Sequence, residues 1–127
     1  MCRMIYNNKN TFNVTDEYGL NTCFDILTHT TNSWGHEMKW KISGATTNTS
    51  CESNTEYDNM QIYTQQCCLP AKETEFSLTC LDTFQDGWQG AYIEIDGKRY
   101  CENFHKGESI TTVVPNPSKK ECFIGKI

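Results

Sequence analysis

The chain has 127 residues, a formal charge of −5 and eight cysteines. That length fits one domain. The acidic balance argues against a non-specific nucleic-acid or anionic-membrane binder, since both need a basic surface, and no run of about 18 apolar residues offers a transmembrane helix.

Cysteines this dense in a short chain point to a disulfide framework in an oxidising compartment. Their number is even, so Cys2, Cys23, Cys51, Cys67, Cys68, Cys80, Cys101 and Cys122 can all pair internally. No CxxC occurs, which argues against zinc-ribbon and thioredoxin-type sites. Val, Leu, Ile and Phe are sparse, so the aromatic residues and the disulfides, at about 2–4 kcal/mol each, must offset a small apolar core.

In chain order, residues 1–10 lack the apolar stretch of a secretory signal. Two sequons, Asn13-Val14-Thr15 and Asn48-Thr49-Ser50, are candidate glycosylation sites of a secreted protein. From Thr22 to Thr28, Phe24, Ile26 and Thr28 oppose Asp25 and Leu27, which predicts a strand with both faces partly covered. In Glu37 to Ile42, Met38, Trp40 and Ile42 fall on one face, while Glu37, Lys39 and Lys41 fall on the other. The polar run Ala45 to Ser50 reads as an exposed loop. Phe76, Leu78 and Cys80 share a face between Thr74 and Leu81. Ala91, Ile93 and Ile95 do the same before Asp96-Gly97, and Lys98 to Cys101 completes a tight hairpin. Ser109 to Val114 is rich in β-branched residues and ends at Pro115. Pro115 to Lys120 is a turn, followed by a candidate final strand at Cys122-Phe123-Ile124.

Apolar residues at helical spacing are absent, whereas alternation recurs. Seven or eight short strands predict an all-β chain: a disulfide-stabilised antiparallel β-sandwich or jelly roll. It forms one domain over residues 1–127, with 1–15 and 115–127 as candidate extension or strand-exchange segments. Eight cysteines allow 105 connectivities. Strand ends favour Cys80 with Cys101. Cys51 with Cys67 or Cys68 would close the polar loop, and Cys2, Cys23 and Cys122 would tie the termini to the sheet. A vicinal Cys67–Cys68 bond is disfavoured by disulfide geometry.

The most distinctive stretch runs from Cys80 to Gly90. Asp82 ends a strand, and Asp86 follows in a glycine-containing turn. Hard cations such as Ca²⁺ take several oxygens from carboxylates and turn carbonyls. The loop lacks the EF-hand pattern, and the competing reading is that both Asp side chains simply bond the turn backbone.

Trp34-Gly35-His36-Glu37 with Trp40, then Cys68-Leu69-Pro70, then Asp82 to Gly90, resembles a secreted β-sandwich module with WGxExxW and DxxGDGWNG-type signatures. The resemblance spans roughly residues 22–104. That module is similar to CUB-like domains, whose loop acids bind Ca²⁺. The resemblance therefore implies Asp82, Asp86 and Glu37 as calcium ligands. The chain departs from the pattern at Gln85, where Gly is frequent, and at Gln89, where Asn is frequent.

Trp34, Trp40 and Trp88 raise the prospect of stacking on sugar rings. Trp40 belongs to the apolar face of its strand, which leaves Trp88, with Gln89 and Tyr92 nearby, as the candidate ligand surface. The opposing reading makes Trp88 a lid over one end of the sandwich. No hydrolase elbow, HExxH or P-loop occurs. His29, His36 and His105 are scattered. A non-enzymatic role is expected: an extracellular recognition or adhesion module with a calcium-stabilised loop, binding a glycan or an extracellular protein. The alternative is a structural subunit of a fibre, coat or matrix that assembles with itself through its termini and sheet edges.

Overall fold

The computed structural model describes residues 14–15, 20–31 and 35–119. Within them the fold is nearly all β. The strands are β1 (Val14–Thr15), β2 (Asn21–His29), β3 (Met38–Gly44), β4 (Ser50–Glu52), β5 (Ile62–Pro70), β6 (Glu75–Asp82), β7 (Tyr92–Ile95), β8 (Lys98–Tyr100) and β9 (Ser109–Pro115). Two short 3₁₀ turns, Gly35–Glu37 and Pro117–Lys119, complete the regular structure. No helix among the described residues is long and apolar enough to cross a membrane.

The strands form two antiparallel sheets. In the first, β2 pairs with β5 on one side and with β1 and β7 on the other, and β7 continues to β8. The second has the order β4-β3-β6-β9. Alternation sets which side chains meet between them. Phe24, Ile26, Leu69, Ile93 and Ile95 come from the first sheet, and Trp40, Ile42, Phe76, Leu78 and Val114 from the second; all are buried in one cluster. This is a disulfide-stabilised β-sandwich. The rings of Phe24 and Phe76 stack across it at 5.6 Å.

Polar groups also enter the interior. The Trp40 indole N–H donates to the Tyr57 hydroxyl at 2.8 Å, and Thr28 Oγ1 lies 3.3 Å from both groups. Burying these groups is tolerable only because each finds a partner. On the far side Glu73 accepts from the amide and hydroxyl of Thr46, which holds the 45–50 loop against the sandwich. These bonds pull the Glu73 carboxyl below its ordinary range, against the opposing effect of burial, the largest single influence on it.

The all-β expectation is met. The inward faces of β2, β3, β6 and β7 are those read from alternation, and Asp96-Gly97 joins β7 to β8 with positive φ at both residues (52° and 79°), as a tight two-residue hairpin requires. Three strands are additions, β1, β4 and β5. Glu37 is a correction: alternation places it on the polar outer face with Lys39 and Lys41, but it lies in a 3₁₀ turn before β3 and is buried.

Three disulfides link the six described cysteines. Cys80–Cys101 forms as expected. Cys51 takes Cys67, joining β4 of one sheet to β5 of the other. Cys23 departs from expectation: it pairs with Cys68, not with a terminal cysteine. The register explains this, because β2 and β5 set Cys23 directly opposite Cys68. Successive strand residues point to opposite faces, so Cys67 turns inward and Cys68 outward, and the adjacent pair serves two separate links. Cys2, Cys122, Asn13, Trp34 and the 122–124 segment lie outside the described residues.

Candidate metal site

Strand β6 ends on its inward face with Asp82, opposite Met38 of β3. The carboxylate then organises the turn that follows. Its Oδ1 accepts from the Phe84 amide at 3.1 Å, and its Oδ2 from the amides of Asp86 (2.8 Å) and Gly87. The loop is pressed against the 104–107 segment: the Trp88 amide donates to Phe104 O, and the Gly107 amide donates to Gln85 O, both at 2.9 Å. Gly87 is required here. Its φ is +89°, and a Cβ would stand 2.5 Å from backbone atoms of Phe104 and His105. Gln85 adopts φ 64° without being glycine, and Gln89 adopts φ 49°. Left-handed backbone costs an ordinary residue about 1–2 kcal/mol, which the bonds to Asp82 and the 104–107 segment offset. Gln85 and Gln89 thus hold positive φ without glycine.

Glu37 reaches the same place from the turn before β3. It is the last residue of the 3₁₀ turn, next to Met38, which faces Asp82. The turn is anchored by the Gly35 amide, which donates to Asn59 Oδ1 at 2.8 Å. Ligand atoms of Glu37, Asp82 and Asp86 all lie within 4.8 Å of one another. Asp82 is 1% exposed and Glu37 5%, whereas Asp86 is open to solvent. Glu37 Oε1 is fully buried with no hydrogen-bond partner. Burial is the main cause that pushes the Glu37 carboxyl above its ordinary range; a hydrogen bond with Asp82 and the charges of Asp86 and Asp82 add to it, and His36 opposes it. The ion pairs among the described residues, His29–Glu94 and Arg99–Glu102, involve none of the three acids.

This arrangement fits a hard cation. Calcium–oxygen bonds run about 2.3–2.6 Å, so atoms sharing one ion stand no more than about 5 Å apart. A carboxylate oxygen has two lone pairs. Backbone amides occupy both on Asp82 Oδ2 and one on Oδ1, so Asp82 mainly orients the loop and keeps one position for a ligand. Glu37 and Asp86 hold the freer donors, and exposed Asp86 gives a path of entry. The rest of a coordination shell of 6–8 oxygens would come from carbonyls and water.

The proposed ligand surface does not form as expected. Trp88 is 1% exposed, packs against Phe104 at 5.9 Å and donates its indole N–H to Leu81 O at 2.9 Å. It closes the end of the sandwich, so its face is not available for stacking. Tyr92 lies on the outer face of β7, stacked on His29 at 4.4 Å with the Arg99 guanidinium 4.3 Å from its ring centre. A shallow depression of about 290 Å³ runs past His29 and Tyr92 to Met60 and Ile62. Gln89 is exposed and donates to Asp86 O at 3.2 Å, so it supports the acidic loop and does not join Trp88 and Tyr92 in one surface. Asn59, which orients the Glu37 turn, carries no sequence signal that marks it. No family model, curated protein or solved structure matches the chain.

Proposed function

We propose that Glu37, Asp82 and Asp86 hold a calcium ion, and that the domain is an extracellular, non-catalytic recognition module whose loop end is set by that ion. The observation that carries this reading is the buried, unpartnered Oε1 of Glu37 beside two further carboxylates. An acidic group in that position is costly unless a cation or a proton compensates it. Acids gathered around one point suit an ion better than a pair flanking a scissile bond. The disulfide framework fits an oxidising compartment, and exposed Asn48 on the 45–50 loop is accessible for glycosylation. Beside the acids, Phe84 is 65% exposed at the loop tip. A glycan or extracellular protein would meet the module there, on a surface that the ion makes rigid.

The test is binding to immobilised glycans and extracellular matrix proteins in calcium and in chelator, with Asp86→Asn as the control. Retention that needs calcium and is lost in D86N is the expected result; retention equal in both media, or none in either, would reject the recognition role.

A second reading is a structural subunit of a fibre, coat or matrix. It draws on β9, an outer strand of seven residues that carries no charge.

A further inference from the structure

Edge strands are ordinarily protected from pairing with other chains by charges, by prolines in mid-strand, by shortness or by cover. Apart from the two-residue β1, the outer strands among the described residues differ sharply in this respect. β4 and β8 have three residues each, and both carry charged side chains. β5 has nine residues and is also uncharged, but its side chains are tied to β4: Cys67 is bonded to Cys51, and the Gln65 amide reaches Glu52 O at 2.7 Å. Among the described residues β9 has no charge, no proline in mid-strand and no covering strand. Its sequence is Ser-Ile-Thr-Thr-Val-Val-Pro, and the single proline stands at its last position. On one side it pairs with β6 along its whole length, and among the described residues no strand pairs with the other side.

The side chains of β9 show the same opening. Ile110 and Thr112 face inward, opposite Cys80 and Leu78, which are fully buried, yet both remain partly exposed. On the outer face Val113 is 53% exposed beside exposed Thr111. Among the described residues the sandwich is therefore incompletely covered along this edge.

We propose that β9 is a self-association edge, on which the β9 strand of a second copy of this chain pairs antiparallel. The occupant follows from the strand itself. A chain of charge −5 meets its own copy most easily through a segment without charge. Overlap of all seven residues fixes the register around Thr112. Thr111 then stands opposite the partner's Val113 on the outer face, and Ile110 opposite the partner's Val114 on the inner face, joining β-branched residues that favour such pairs. The two four-stranded sheets become one of eight strands. The interface is a single strand pair, at the small end of the range for specific contacts, so the association is weak and depends on concentration. This inference bears on the structural-subunit reading and is independent of the calcium site.

Sedimentation equilibrium, carried to about 1 mM, the weak end of the affinity scale, tests it. The wild-type mass is expected to rise with concentration from 14.6 kDa towards twice that value. T111K/V113K places lysines opposite lysines and should stay monomeric, although it lowers the net negative charge. T111K/V113E sets opposite charges across the same pairs and should associate again. Near-UV circular dichroism checks that each variant folds. Amide exchange of the wild type gives a reading free of substitutions: β9 amides should gain protection as concentration rises. A wild type that remains monomeric, a T111K/V113K variant that associates as well as wild type, failure of T111K/V113E to restore association, or β9 protection that is independent of concentration would each overturn the proposal.

Discussion

Glu37→Gln is the most informative substitution, because its effect should change sign with the medium. Gln keeps the length and shape of the side chain and removes its charge. In chelator, the wild type holds a buried carboxyl beside Asp82 and Asp86, and the neutral amide should be the more stable. In calcium, the charge belongs to the ligand set, and the variant should lose what the ion supplies. A ligand at a hundred times its dissociation constant adds about 2.7 kcal/mol to stability. For 127 residues the unfolding entropy is roughly 0.27 kcal/mol/K near 60 °C, so the wild type should melt about 10 °C higher in calcium and the variant should move little.

The pH dependence adds a second axis. The Glu37 carboxyl titrates above its ordinary 4.5 in the folded protein, so the folded state holds that proton more firmly than the unfolded chain does. In chelator, wild-type stability should therefore fall as pH rises from 4.5 through the raised folded-state value, with no such loss at lower pH. The variant should lack this slope. Thermal unfolding of both proteins across pH, with and without calcium, reads every term. If Glu37→Gln shifts stability in the same direction in both media, or leaves the pH slope unchanged, the buried-carboxylate reasoning is wrong.

Other expectations follow from single contacts. Gly87→Ala forces a Cβ to within 2.5 Å of the Phe104 and His105 backbone at φ +89°; urea unfolding should show a loss of at least about 2 kcal/mol, and a loss below about 0.5 kcal/mol would contradict the close approach. Tyr57→Phe removes the nearer acceptor of the buried Trp40 indole N–H and leaves Thr28 Oγ1 at 3.3 Å, so the same assay should record about 0.5–1.5 kcal/mol; no change would mean that Thr28 alone satisfies the indole. Cys51→Ala with Cys67→Ala opens a link across 16 residues, worth about 3 kcal/mol by loop closure. Peptide mapping without reduction should recover Cys23 linked to Cys68, and recovery of a Cys67–Cys68 bond would overturn the β2–β5 register.

Where the sequence alternates cleanly, the fold is legible in it. Met38, Trp40 and Ile42 declare their face because lysines separate them, and Asp96-Gly97 declares its hairpin because few other pairs accept two positive φ values. β5 is hidden for the opposite reason. Its Tyr-Thr-Gln-Gln-Cys-Cys segment has no apolar period, and what fixes it as a strand is nine-residue pairing with β2, a long-range fact. The Cys23–Cys68 link is hidden with it, since only that register places the two side by side. In the candidate site, Asp82 and Asp86 are visible as acids on one glycine-containing turn. Glu37 is raised only by the resemblance to a secreted β-sandwich module, and local alternation alone assigns it to solvent. The 3₁₀ turn before β3 breaks that alternation and rotates Glu37 inward. Trp88 misleads because a turn position suggests exposure, while its N–H bond to Leu81 O and its contact with Phe104 fold the ring under the loop.

Trp88 also supplies the most direct probe of the central claim. It follows Gly87, whose amide binds the Asp82 carboxylate, so its indole lies close enough to the acidic cluster to sensitise a bound terbium ion. Exciting tryptophan in the presence of Tb³⁺ should give terbium emission from the wild type, which calcium competes away, and should give little from Asp86→Asn or Glu37→Gln. No sensitised emission from the wild type, or emission that calcium does not displace and these substitutions do not weaken, would show that Glu37, Asp82 and Asp86 hold no calcium ion.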